Sequence, residues 1–258
     1  MNIRNILRKS LLDVLSPLAV PKNGIHILNG HFLSKNSACD SSVFIKQLKL
    51  LRNNYEFINV DTATELIYEN SESLKTTRAL AFSFDDGFSD CYHAIAPALD
   101  SYNVNAAFFI NPNFVDGSNE YYLDFIKNRV NTPNKIPMTW DQIKYLSNNG
   151  FVIGNHTLDH KRLSELDDKE FFRQVEESKF ILEEKLNKYC DYFAWPYGQQ
   201  KDITDFQVDE VSKIHKYIFS GCDYTKYKSR GGLVINRRHF EPFWPSRHLN
   251  FFLSREKN

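Results

Sequence analysis

The chain has no uninterrupted apolar run approaching the roughly 18 residues that a membrane span requires, so a soluble protein is expected. It has no net charge either: 32 basic and 32 acidic side chains cancel, and no charged tail extends from either end. That balance removes the electrostatic footprint of a nucleic-acid binder. The 4 cysteines form no C-x-x-C pair, which excludes a zinc ribbon and a thiol redox motif. Internal repeats and linkers are absent, so 258 residues with 42% hydrophobic content read as one globular domain with a sizeable core.

The stretch MNIRNILRKSLLDVLSPLAV begins like a secretion signal, but Asp13 and Pro17 interrupt its apolar part. A cytoplasmic protein is therefore expected. Ile3, Ile6, Leu7, Leu11, Val14, Leu15 and Leu18 recur at helical spacing, which predicts an amphipathic helix within residues 1–22. Two fates are open to it: packing on the domain that spans residues 23–258, or contact of residues 1–20 with an anionic membrane at its inner face.

From residue 25 onward, short strands alternate with amphipathic helices, the pattern of an α/β domain with a parallel sheet or barrel. GIHILNGHF, EFINV, RALAFSF, NAAFFINP, FVIGN, DYFAWPYG and YIFSG read as strands. Residues 111–139 hold three prolines and exceed an ordinary connection, which suggests a loop bordering a site.

Polar groups collect where these strands end. FSFDDGFSD, residues 82–90, closes an apolar strand with two adjacent carboxylates and a glycine. Asp-Gly is also an ordinary turn pair, so Asp85 and Asp86 alone decide nothing. HTLDH places His156 and His160 four apart, able to share a cation on one turn, although two surface histidines would look the same. Thr157 stands where a zincin needs Glu, so the H-E-x-x-H reading fails. Asp86 with His156 and His160 makes a His-His-carboxylate set with metal positions left open for water and substrate. Asp85, pointing another way, is left to hold the water.

SFDDG, NHTLDH and FAWPYG, in that order, resemble the motifs of the polysaccharide deacetylase family, also called the NodB-homology or carbohydrate esterase family 4. The resemblance covers about residues 25–240 and implies a distorted (β/α)7 barrel. It further implies that Asp85 is the general base, and that Asp86, His156 and His160 bind one divalent ion, Zn2+ or else Co2+ or Ni2+. The reaction implied is N-deacetylation of an amino sugar in a glycan or in a lipid-linked surface-polysaccharide precursor. Deformylation, O-deacetylation and a carbohydrate-binding protein with an impaired site stand as alternatives.

The sequence departs from the family pattern in two places. Ala194 occupies the position where the third motif usually carries an Arg that orients the base, and the Arg pair of INRRHF is the substitute, with Arg238 preferred. The C-terminal Leu-x-His motif that supplies the acid is also missing. HILNGHFLS resembles the corresponding strand of circularly permuted members, which makes His31 the acid candidate, with His26, His239 and His248 in reserve. Tyr197, through its backbone N–H, and Trp195 complete the expected substrate and oxyanion contacts.

Overall fold

Alternation along each strand decides the architecture. In Arg78–Phe84, Ala79 and Ala81 belong to one buried cluster, while Leu80, Phe82 and Phe84 belong to another. A strand apolar on both faces must be covered on both, as parallel sheets are. The structure, a computed structural model, describes residues 10–16, 19–34, 40–132 and 134–258.

Among these residues the strands are β1 Gly24–Gly30, β2 Glu56–Phe57, β3 Arg78–Phe84, β4 Ala106–Ile110 and β5 Val152–Asn155. They continue as β6 Tyr192–Ala194, β7 Tyr217–Ser220, β8 Lys228–Ser229, β9 Val234–Asn236 and β10 Arg238–His239. They form one sheet in the order β10-β1-β3-β4-β5-β6-β7-β9-β8, with β2 beside β3. Every pairing is parallel except β8 with β9.

The sheet curls on itself. Phe109 of β4 and Phe219 of β7 meet with ring centroids 5.6 Å apart, although two strands separate them in the sheet order. β9 pairs with β7 and β10 with β1, and only Arg237 lies between β9 and β10. One run of chain thus joins the two ends of the sheet. The strand positions around this closure are β1, β3, β4, β5, β6, β7 and the shared β9–β10 run, a distorted (β/α)7 barrel in a single domain.

The interior is filled by Ile25, Ile27, Ala79, Ala81, Ala107, Phe109, Ala194, Phe219 and Ile235. Val60, Ala63 and Ile67 of the helix Val60–Tyr68 belong to the same cluster and close the end where the strands begin. Asn105, just ahead of β4, caps that helix by accepting from the Val60 N–H at 2.8 Å. With that end plugged, only the opposite end, where the strands finish, is left as a mouth.

The long segment after β4 is more ordered than its composition suggests. Pro112–Asp116, Asn119–Asp124 and Phe125–Arg129 are helical, and Phe114 stacks on Phe125 with centroids 4.0 Å apart. Of the amphipathic helix expected over residues 1–22, residues 1–9, 17 and 18 lie outside the described residues. Residues 10–15 are helical, with Leu12 buried and Leu11 and Val14 exposed. Asp13 there pairs with Arg247 and His248 of the helix Ser246–Leu253, both at 2.7 Å. No helix among the described residues is long and apolar enough to cross a membrane.

Gly154 of β5 is where interior packing is tightest, since a Cβ there would lie 2.5 Å from the ring of the fully buried Phe109. Gly154→Ala is expected to cost about 1–3 kcal/mol, the usual penalty for overpacking a core. Urea denaturation measures it, and an unchanged midpoint would refute this account of the barrel interior.

Candidate functional site

Side-chain alternation carries the interior face up to the mouth. Asn29 of β1 lies in register with Ser83 of β3, Asp85 follows Ser83 on the same face, and Arg237 follows Ile235. The Arg237 guanidinium, fully buried, donates to Asp85 Oδ1 at 2.8 Å and to Asp85 Oδ2 at 2.9 Å. It also donates to Ser83 Oγ at 3.1 Å and to the Ser220 carbonyl at 3.0 Å, and lies over the Phe109 ring. Asn29 Nδ2 donates to Asp85 Oδ2 at 2.6 Å. Burial alone would raise the Asp85 pKa, but the charge of Arg237, then His156 and the Arg237 hydrogen bonds hold it below its ordinary value of 3.8. Asp85 is therefore an oriented, ionised carboxylate.

Asp86 sits at φ 73° and turns into the same mouth. Its Oδ1 lies 3.4 Å from His156 Nε2 and 3.2 Å from His160 Nε2. All three residues are buried. The histidine loop is held from below: Asn155 Oδ1 accepts from the Thr157 N–H at 2.8 Å, and Asn111 Nδ2 donates to the carbonyls of His156 and Thr157.

These donors fit a cation. His156 Nδ1 lies 2.6 Å from the Ala194 carbonyl, which can only accept, so Nδ1 carries a proton and Nε2 is the ring atom turned toward Asp86. Burial keeps the His160 pKa below its ordinary 6.5 despite the Asp86 charge, which favours a neutral imidazole there. Asp86 Oδ1, buried, has no hydrogen-bond partner among the described residues. Two imidazoles and a buried carboxylate, each with a ligand atom within 4.8 Å of the others, are a donor set that could hold a divalent ion.

His31 stands beyond the end of β1 and lines the same cavity, of about 890 Å3, as Asp85, Asp86, His156 and His160. Its Nδ1 lies 2.8 Å from Glu241 Oε1. Burial acts to lower its pKa, but Glu241, with smaller contributions from Asp86 and Asp85, carries it up to about 10. At neutral pH the imidazole holds its proton. Among the histidines in reserve, His239 shares the cavity wall, with its ring centroid 5.3 Å from that of His31. His26 is buried in β1 beneath the mouth, and His248 is engaged with Asp13.

The structure corrects two expectations about the remaining residues. Arg237, and not Arg238, reaches Asp85; the Arg238 guanidinium lies at the cavity rim over the rings of Tyr224 and Phe252, at 4.3 and 3.7 Å. Ala194 faces the interior, so Trp195 faces outward, 1% exposed, with its Nε1–H donated to the Gln199 carbonyl at 3.0 Å. It does not line the cavity. Tyr197 does, at φ 65°, its ring edge-on to His160 at 4.9 Å and covered by Arg162 at 4.4 Å. Glu241, Asn29 and Asn111 escaped the sequence reading because each is a lone polar residue at a strand end. Counting by twos from the interior residues would have flagged Asn29 and Asn111.

Residues 73–213, more than half of the chain, match the family model for polysaccharide deacetylase, and the chain belongs to that family. Its fold resembles that of IcaB from Ammonifex degensii, with a TM-score of 0.67 and 20% identity over 91% of this chain and 98% of that one. It likewise resembles the Streptococcus pyogenes deacetylase PplD in complex with acetate, at 0.65 and 19% over 90% and 97%. In sequence, the Bacillus subtilis (strain 168) protein YxkH is 21% identical over 162 residues, 62% of this chain and 51% of that protein. The chain thus spans about half the length of that relative.

Removing one partner of the buried Arg237–Asp85 pair strands the other's charge. Arg237→Met is expected to lose about 3–5 kcal/mol of stability, and much less in an Asp85→Asn background. Because the native carboxyl titrates below 3.8, the pair's contribution is complete above that pH and fades as pH falls through the lowered native value. Denaturation curves at pH 7 and pH 3 read both effects; equal costs in the two backgrounds would dismiss the coupling.

Proposed function

We propose that the protein is a metal-dependent hydrolase that removes the acetyl group from an N-acetylated amino sugar, in a glycan or a surface-polysaccharide precursor, releasing acetate and a free amine. The observation that carries this reading is an ionised carboxylate, Asp85, fixed by a guanidinium beside three converging ligand atoms, with a protonated imidazole, His31, in the same cavity. Family membership and the likeness to IcaB, PplD and a de-N-acetylase from Aggregatibacter actinomycetemcomitans support it.

In this reading Asp86, His156 and His160 hold one divalent ion, for which the imidazole donors suit Zn2+. A bound ion supplies Lewis acidity to the acyl carbonyl and to the attacking water. Asp85 takes the proton of that water as it attacks, Arg237 and Asn29 fixing which carboxylate lone pair faces it. The Tyr197 N–H is the candidate donor to the oxyanion. His31 then gives its proton to the leaving nitrogen, a step that an amide needs because an amine anion is a poor leaving group. The cavity volume suits a few sugar units.

The departure at Ala194, which kept a non-hydrolytic binding protein in view, loses its force because Arg237 supplies the guanidinium from the closing strand. An interior arginine at 194 would compete for the space that Arg237 fills.

Acetate release from N-acetylated oligosaccharides and lipid-linked sugar precursors, with and without chelator, tests the activity; N-formyl and O-acetyl analogues test the acyl preference. Asp85→Asn is expected to retain metal and lose turnover by at least about 10²-fold. His31→Ala should retain metal and lose most turnover on amides, with a smaller loss on activated aryl esters, whose leaving groups need little protonation. Equal losses on both substrates would remove His31 from the acid role. Alanine variants of Asp86, His156 and His160 should each lose the metal; retention of stoichiometric metal in all three would discard the ligand assignment.

A further inference from the structure

We propose that the cavity wall carries a second, weaker divalent-metal site, formed by His31 Nδ1, His239 and Glu241, and that an ion bound there disables His31 as an acid. The second half of this inference rests on the acid role given to His31 above; the site itself rests on geometry alone.

Strand register assembles the three residues. Asn29 of β1 is paired with His239 of β10, so His31, two residues on, emerges beside Glu241, two residues on from His239. Glu241 Oε1 lies 2.8 Å from His31 Nδ1 and 3.7 Å from His239 Nε2, and one ligand atom from each residue falls within 4.8 Å of the others. Two ligands of a tetrahedral zinc ion, each about 2.0–2.1 Å from it, lie about 3.4 Å apart. The separations of 2.8 and 3.7 Å bracket that value. The 3.7 Å contact is too long for a hydrogen bond and leaves His239 Nε2 facing the carboxylate across ion-sized spacing.

The donor chemistry and access also fit. Two imidazoles and one carboxylate make a set that zinc, nickel and cobalt accept. Glu241 is buried while His31 and His239 are partly exposed to the cavity, so an ion has an entry path and solvent for its fourth position. Trp244 packs edge-on against His239 with centroids 5.1 Å apart and limits the ring's freedom. This site differs from the Asp86 site in one respect that makes it weaker: a proton already bridges His31 Nδ1 and Glu241, and an ion must displace it. The ion takes that proton's place, the proton leaves to solvent, and His31 keeps only the Nε2–H of a neutral imidazole. Giving up that Nε2–H would leave a metal-bound imidazolate, whereas the imidazolium it replaces gives up a proton to leave a neutral ring.

Calorimetric titration of the metal-free protein with Zn2+, with elemental analysis after dialysis, tests the site without an activity assay. Two binding events are expected. The tighter should vanish in Asp86→Ala. The weaker should fall by at least about 10-fold in His239→Ala and in Glu241→Gln, each of which keeps the tighter event and so reports its own folding. Amide turnover should decline as the weaker site fills in the unaltered protein, and should not decline in His239→Ala. A single event up to a large excess of Zn2+, or a second event that survives both substitutions, would overturn the site. Two events with no hydrolysis at any metal level would instead overturn the hydrolase reading and leave the second site standing.

Discussion

The pairing of Arg237 with Asp85 is the interaction on which the barrel and its mouth both depend. Arg237 is the residue between β9 and β10, where one run of chain leaves the β7 side of the sheet and joins the β1 side. Its backbone N–H is donated to the Ser220 carbonyl of β7, and three residues on the Phe240 N–H is donated to the Asn29 carbonyl of β1. The side chain at this seam crosses the interior to the end of β3. A buried charge pair is a poor source of net stability, because desolvation offsets most of the attraction. What it supplies is registry: a guanidinium with five donors in a fixed fork finds Asp85, Ser83 and Ser220 together only when β3, β7 and the seam are aligned.

Much of this was legible in the sequence, and the reason is periodicity. RALAFSF alternates small interior residues with large exterior ones, and the three motifs each follow such a strand, so their convergence on one mouth follows from a parallel barrel. His31 is singled out by the resemblance of HILNGHFLS to a strand of circularly permuted family members, and in the structure β1 ends at that mouth, paired with both β3 and β10. The choice between Arg237 and Arg238 was not legible. Adjacent residues on a strand face opposite ways, so a slip of one residue exchanges the interior arginine for the exterior one, and β9 is too short to reveal its own phase. The same parity governs Trp195: a large aromatic in a catalytic motif invites a role in binding, yet it follows the interior Ala194 and must face the outer helices.

Parity also explains where the backbone is unusual. Strict alternation would send Asp85 inward and Asp86 outward, and would separate the two carboxylates by the thickness of the sheet. The chain escapes this at the strand end by taking Asp86 to φ 73° and Gly87 to φ 70°. The same device recurs at Thr157 and His160 in the histidine loop and at Tyr197 after β6, all non-glycine residues at positive φ. Each such residue costs on the order of 1–3 kcal/mol and persists only where its surroundings over-determine it. Here the surroundings are specific: the Met138 N–H is donated to the Gly87 carbonyl, Asn155 and Asn111 bind the backbone of residues 156–157, and Ala194 holds His156. Among the strained residues, Asp86, His160 and Tyr197 bring their side chains to the cavity, and the buried Asn111 and Asn155 support the backbone of the histidine loop between them. A substitution at Asn111 or Asn155 therefore acts on the histidine loop's geometry, because it removes side-chain hydrogen bonds to the backbone of residues 156–157 and leaves the His156 N–H to Ile110 carbonyl bond to hold that turn.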